Sequence, residues 1–502
     1  VMMRDTVLLA LIAVKQIYAG GEWLWTVQHG SSDSDAAYAM VLAAGGDVLI
    51  AGDTLGNLGS IEETGPRHFD GFVMKFGAAG QWLWTTQHGS EQFVGVRPQA
   101  MVMATWNEVM IAGHTDGKAA SYLEHLGGED IFIARVSASG QVLWMRQRGS
   151  DQDDYASSVA LDSSGNILVT GSTAGSLDGN SNSGMRDIFI MKFAASADWS
   201  WTKQVGSSAM DGASKIVVNT LDEIFISGET FGSMGDNLNA GGADAVVMKL
   251  SAAGDLIWLT QFGSGDADSA AAMVLDPTGN AFVAGYREGR LQNHGSPADA
   301  DGFSSDIFLM QLAGETGEIL WQRQHGSSER DFPSDMALNA EGNILLAGET
   351  YGDLDGHTNE GPGRSDVFVM KFSQVGERLW TVQRGSAAGE KVAAIASSPA
   401  GEIFVAGSTS GSLEGCCANC GGFDIFLMKF NDNLGPAALA AANQSRPLHS
   451  RCVAPLTTTL RSMQDPEATS TFRSFDPVSN KAPHRRVIVA FPLLAMLLRL
   501  VV

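Results

Sequence analysis

Seven segments of this chain close on one phrase, Trp-x-x-Gln-x-Gly-Ser, at Trp25, Trp84, Trp144, Trp201, Trp258, Trp321 and Trp380. The spacing between successive tryptophans runs from 57 to 63 residues. A repeat of that length is one supersecondary unit that cannot bury its own apolar face, so the chain must stack its units into a solenoid or ring. This outweighs the domain-size prior, which would divide 502 residues into three or four globular units.

Two further landmarks recur in every unit. A glycine recurs within phrases such as LIAGDT and LLAGET (Gly52, Gly113, Gly171, Gly228, Gly285, Gly348, Gly407). An aspartate then opens phrases such as DIFIMKF (Asp70, Asp130, Asp187, Asp244, Asp306, Asp366, Asp424). Trp to Gly is 27 residues in six units and 29 in the second, and Asp to Trp is 14 or 15, whereas Gly to Asp varies from 16 to 21. Fixed distances mark paired strands and variable ones a surface loop. Within a unit, short runs of β-branched and aromatic residues are punctuated by Gly, Asn and Ser, and no helical period is sustained. The reading is all-β: a seven-bladed β-propeller with four antiparallel strands per blade. The first Trp strand (Glu22–His29) has no complete unit before it, and the last unit ends without one. The N-terminal Trp strand therefore completes the last blade and closes the ring.

These residues resemble the SBBP family, the seven-bladed β-propeller repeat proteins. The third unit carries the pattern almost whole: Asp154, Gly165, Asn166, Gly171, Thr173, Asp187, Phe189, Lys192, Trp201, Gln204 and Gly206. The resemblance spans residues 21–430. It implies a propeller fold, a secreted or surface-attached setting and no general catalytic activity. Three departures stand out: Val94 at the position of the aspartate after Gln-x-Gly in unit two, Arg287 for the threonine of unit five, and Gln311 for the lysine of unit six.

The net charge is −24, and residues 431–502 hold eight Lys/Arg against four Asp/Glu, which leaves −28 on residues 1–430. Such a body repels phosphate backbones, so nucleic acid is not an expected partner. Outside the repeats, residues 1–20 hold the apolar run VLLALIAV, either a signal-peptide core or a strand. Residues 431–486 are rich in Pro, Ser and Thr and basic, the composition of a disordered linker. Residues 487–502 (VIVAFPLLAMLLRLVV) are short for a membrane span and are compatible with a tail anchor, a removed lipid-anchor signal, or an ill-defined end of the reading frame.

Several residue sets invite a chemical reading. The seven tryptophans suggest a quinone-cofactor propeller, but a cofactor needs one asymmetric site, and a Trp in every blade is expected to pack blade against blade. Carboxylates five residues after the motif glycine (Asp35, Asp154, Asp211, Asp268, Asp331, Glu390) are expected to accept backbone N–H groups at a turn rather than act as acid and base. A salt bridge from them to the recurring Lys/Arg is not expected, because the substitutions do not track. Asp353, Asp355 and Asn359 are weak calcium candidates in a loop of turn composition. Cys416, Cys417 and Cys420 read as a loop disulfide or free thiols, with a metal site the lesser alternative. Arg287, Arg290 and His294 fall in the longest variable loop and form the candidate binding loop, a basic notch in an acidic rim. The expected function is a monomeric, non-enzymatic binding or scaffolding propeller, secreted or surface-displayed, that uses variable loops on one rim to bind a protein or glycan. It is expected to carry no cofactor, with calcium as the possible exception. The alternative is a propeller enzyme with a quinone or metal centre.

Overall fold

The computed structural model describes residues 21–58, 68–89, 95–104, 108–288, 305–413 and 421–432. These form 28 strands in seven four-stranded antiparallel sheets, and no helix occurs among the described residues. Blade one is β2 (Asp35–Leu42), β3 (Val48–Thr54), β4 (Asp70–Phe76) and β5 (Trp82–His88), in that order across the sheet. The next five blades repeat this, and blade seven is β26 (Glu390–Ser397), β27 (Glu402–Thr409), β28 (Asp424–Asn431) and then β1 (Glu22–His29). Trp25 pairs with Lys429 and Val27 with Leu427, so the first strand of the chain completes the last blade and closes the ring as expected. The first strands of the blades form the innermost layer. They are β2, β6 (Val96–Met103), β10 (Asp154–Leu161), β14 (Asp211–Val218), β18 (Asp268–Leu275), β22 (Asp331–Leu338) and β26, each packed on the next until β26 meets β2 again. They line the central channel.

The residues that repeat are those that join blade to blade. Three of the motif tryptophans lie against a phenylalanine of their own sheet, Trp25 on Phe404, Trp258 on Phe225 and Trp321 on Phe282, with ring centroids 6.3, 5.9 and 6.0 Å apart. The outer side of Trp25, Trp84, Trp201, Trp258 and Trp321 is covered by the hairpin glycine of the following blade. Gly317 adopts φ +72°, and a Cβ there would stand 2.6 Å from the Trp258 ring. Glycine suits that position both for the turn and for the approach; Ala197 takes it in blade three, at φ +70°. Large apolar side chains are thus buried in the seams between sheets.

The Gln of the motif ties three points together. Gln383 Nε2 donates to the Gly352 carbonyl (2.9 Å) and to Asp366 Oδ2 (3.0 Å), and its Oε1 accepts the Leu354 N–H (2.9 Å). Gln28, Gln87, Gln147, Gln204 and Gln261 make the same three contacts. The aspartate that opens the third strand is thereby fixed to the fourth strand and to the start of the loop between strands two and three. Any side chain on the motif glycine would collide with that carboxylate, as at Gly385 against Asp366.

The carboxylates that open the inner strands accept backbone N–H groups, as their spacing predicts. Ser31, Ser150, Ser207 and Ser327 N–H groups meet Asp35, Asp154, Asp211 and Asp331 at 2.6 Å. The threonine ending the second strand reaches the same carboxylate, as Thr409 does to Glu390 at 2.7 Å. The recurring Lys/Arg has a different partner, the carboxylate of its own blade's first hairpin: Lys75 with Asp47 (2.9 Å), Lys192 with Asp162 (2.8 Å) and Lys249 with Glu223 (2.8 Å). Gln311 replaces the lysine and still reaches Asp276, at 3.0 Å. In blade six Lys371 turns instead to the fully buried Asp432, just past β28, at 2.7 Å.

Candidate functional site

The strand order places two kinds of segment on one rim: the loops between strands two and three, and the connections from each blade to the next inner strand. At that rim the inner strands open onto the channel. Their first residue is fixed by the network above, but the second is not. It is Ala36, Arg97, Tyr155, Gly212, Ser269, Phe332 and Lys391 around the ring, opposite Asp53, His114, Ser172, Glu229, Tyr286, Glu349 and Ser408. A symmetric scaffold thus carries an asymmetric mouth. Just below, six of the inner strands bulge after their third residue. The bulge displaces one side chain per blade, a device common beside functional sites. In blade one that side chain is Tyr38, 37% exposed.

Blades one to three form a charged arc. Arg97 Nη1 pairs with Glu129 Oε1 at 3.1 Å, and its guanidinium lies 5.0 Å from the Phe69 ring centre. Arg186 pairs with Asp153 at 3.3 Å and covers Tyr155 at 4.6 Å. His114 stands edge-on to Tyr155 at 4.9 Å. Burial, reinforced by the Arg97 charge, lowers the His114 pKa to about 4, so the ring is neutral near pH 7. Blades five and six carry an aromatic arc in which Tyr286 and Tyr351 both meet the Phe332 ring edge-on, at 5.2 and 6.4 Å. Deeper in, Lys215 on β14 reaches across the inner strand of blade five to Asp335 on β22, 2.7 Å away.

Two buried carboxyls sit beside cations of the next blade. Glu349 Oε1 accepts the Val392 N–H at 2.9 Å, and burial raises its pKa to about 7 against the opposing charge of Lys391. In the next seam Ser408 takes the equivalent N–H, that of Ala37. Asp53 occupies the same place in blade one, but the residue facing it is Pro98, which has no N–H to give. Asp53 Oδ1 has no hydrogen-bond partner among the described residues. Tyr38 hydrogen-bonds the carboxyl, and burial raises its pKa to about 7 although Arg97 opposes. This seam also holds a gap. Blade one has Gly71 where five others have Ile or Val, and an apolar cavity of about 30 Å³ lies between Gly71, Val96, Pro98 and Met145.

Of the residues expected to bind, Arg287 is corrected. It lies inside β19 (Ala281–Glu288), 6% exposed, with Nε 2.5 Å from Asp268 Oδ1. It stands in for the threonine hydroxyl that serves this carboxylate in other blades, so it is a buried structural pair and not part of a surface notch. Arg290, His294, Cys416, Cys417 and Cys420 lie outside the described residues, as does Val94. The residue that register places opposite Thr115 is Val96, because the connection into blade two is two residues longer. Asp353, Asp355 and Asn359 share one loop, yet each is engaged within it or beside it. Asp353 accepts the Asn359 N–H (2.8 Å), Asp355 meets Arg378 and Thr381, and Asn359 donates to the Arg364 carbonyl (3.0 Å). No group of three or more His, Cys, Asp or Glu that could hold a metal occurs among the described residues. The mouth residues belong to strands of constant length and to no motif, so the loops that vary in length do not point to them. Their signal was a substitution pattern, one free position beside the fixed Asp of the inner strand and one before the fixed Thr.

Comparison with known proteins agrees with the repeat. The family model described as a beta-propeller repeat, SBBP, matches residues 143–178, from the third Trp strand into the loop after β11 (Ile167–Thr173). The same landmarks recur in all seven sheets. The chain is a seven-bladed β-propeller whose third unit matches the SBBP repeat. The chain is also 26% identical over 162 residues to the regulatory protein FlaEY of Caulobacter vibrioides, a match that covers 30% of this chain and only 17% of that one. Among solved structures, Kuenenia stuttgartiensis hydrazine synthase aligns over 74% of this chain and 92% of its own, with 10% identity and a TM-score of 0.46. Quinohemoprotein alcohol dehydrogenase from Comamonas testosteroni aligns over 82% and 78%, with 10% identity and a TM-score of 0.44. Likenesses of that size carry no functional argument.

Proposed function

We propose that this propeller is a non-enzymatic binding module that takes a glycan or protein partner at the mouth of its central channel, and that it works outside the cell or at its surface. The observation that carries this is the pattern of asymmetry. Fixed residues hold the blades together, while the paired positions at the mouth differ in charge, size and aromaticity from blade to blade. Specificity must come from what differs. The charged arc of blades one to three and the aromatic arc of blades five and six supply hydrogen bonding and stacking on opposite sides of one opening. The partial match to a protein named as regulatory supports a role exerted through partners. Cofactor-free binding and a monomeric state belong to this proposal.

A second reading rests on Asp53, Glu349 and neutral His114. Carboxyls near pH 7 suit general acid–base chemistry, which would make the mouth an active site. One experiment separates the two. The full chain is screened on a glycan array and against surface extracts, and each hit is retested with Tyr155→Ala, Phe332→Ala and, on the opposite rim, Ser163→Ala. Weakened binding in the two mouth variants alone, with ligand recovered intact, supports the binding reading. Cleaved ligand favours the enzyme, and loss only in Ser163→Ala, whose hydroxyl links to Asp222, moves the site to the other rim.

A further inference from the structure

We propose that the mouth at blade one is a subsite for a carboxylate-bearing sugar residue of an acidic oligosaccharide, held between Arg97 and Lys391. This rests on the reading of the mouth as the binding surface. Lys391, Ala36 and Arg97 occupy the same position on three successive inner strands, β26, β2 and β6. The small Ala36 leaves a gap between two long cations. Each cation lies over an aromatic ring, Arg97 over Phe69 at 5.0 Å and Lys391 over Phe423 at 5.7 Å, which limits where its head group can stand. Tyr38, two residues beyond Ala36 and 37% exposed, lies beside Asp53 and within reach of the Arg97 charge. Its hydroxyl meets the carboxyl of Asp53, the group that Pro98 leaves short of a donor.

The chemistry of this sector selects its ligand. Two cations kept at one gap, in a chain of net charge −24, mark local complementarity to an anion that the protein as a whole repels. Glu129 engages one of the five N–H donors of Arg97, so the guanidinium fork still suits a ligand carboxylate. The exposed Tyr38 ring beside this gap fits the apolar face of a pyranose, while Phe69 and Phe423 hold the two cations in place. Asp53 and Tyr38 supply acceptors for its hydroxyls. An acidic peptide matches the cations but makes no use of the Tyr38 ring together with the hydroxyl acceptors.

The test is calorimetric titration of the full chain with tri-galacturonate, using maltotriose and tri-glutamate as comparators. Tri-galacturonate is expected to bind, more weakly as salt is raised. Affinity should fall at least tenfold in Arg97→Gln and in Lys391→Gln, and also in Ala36→Phe, which keeps both cations but fills the gap. Melting curves confirm that each variant is folded. Equal or tighter binding of maltotriose or tri-glutamate, or no binding of tri-galacturonate, overturns the proposal. If the uronate binds but depends on Tyr155 and Phe332 and not on these three residues, the subsite is wrong and the mouth reading survives. If it depends on none of the five, both are wrong.

Discussion

Replacing Gln383 with leucine tests whether the repeated glutamine is what fixes each blade at the rim. The side chain is 8% exposed and makes three hydrogen bonds, two with the uncharged Gly352 carbonyl and Leu354 N–H and one with the buried Asp366 carboxylate. Neutral bonds contribute about 1 kcal/mol each and a bond to a charged group about 1.5–3. Leucine matches the volume and leaves three buried groups short of partners, so the variant should lose about 3–5 kcal/mol. The loss has a pH signature. Burial already raises the Asp366 pKa and the Gln383 bond opposes that shift. Removing the bond raises it further, so the ionised form is penalised more and the variant loses more at pH 8 than at pH 5. Urea denaturation of the full chain, followed by tryptophan fluorescence, measures both. Gln374→Leu is the control, because Gln374 is exposed and makes one 3.1 Å bond to the Glu341 carbonyl; it should change stability by less than about 0.5 kcal/mol. A loss below about 1 kcal/mol in Gln383→Leu, or one equal to the control, would refute the reasoning.

Arg287→Ala strands the buried Asp268 carboxylate and should cost about 3–5 kcal/mol, while Arg287→Thr restores the pairing used in other blades and should recover most of it; equal losses in the two would return Arg287 to a role other than pairing. Between pH 6.5 and 8 the melting temperature should fall as pH rises. Asp53, Asp331 and Glu349 have folded pKa values raised by burial to about 7, so the stability present when they are protonated is lost through that range. His29, His114 and His325, lowered to about 4 by burial, act in the opposite sense but only below about 6.5. Glu349→Gln should flatten the slope, and a melting temperature that rises from pH 6.5 to 8 contradicts the assignment. Deleting residues 21–30 removes β1 from blade seven and should unfold the ring cooperatively, whereas deleting residues 1–19 should leave the thermal transition unchanged; equal damage from both deletions would undo the closure scheme.

The fold was legible because its determinants are periodic. Trp, Gln, Gly and Asp recur at fixed distances, and each proved to hold two blades or two strands together. Even the closure by Trp25 followed from counting strands. The pairing of Gln with the Asp that opens strand three was not legible, since it depends on how the sheet folds back across 17 residues from Asp366 to Gln383. Arg287 was misread for the opposite reason. Its sequence neighbours belong to a long loop, but the ladder with β18 extends to it, and its guanidinium replaces a hydroxyl at a buried carboxylate. The mouth is made of single residues on seven separate strands. No local window contains two of them from different blades, so only the closed ring brings Arg97, Lys391 and Tyr38 to one opening.

The central claim, that repeated residues build the ring and unrepeated ones at the channel mouth bind the partner, is tested most directly by amide hydrogen exchange of the full chain with and without bound ligand. Protection should concentrate at the beginnings of β2, β6, β10, β22 and β26 and leave the opposite-rim turns at 162–166 and 219–223 unchanged. Protection confined to those turns, with the inner-strand beginnings exchanging as in the free protein, would contradict it.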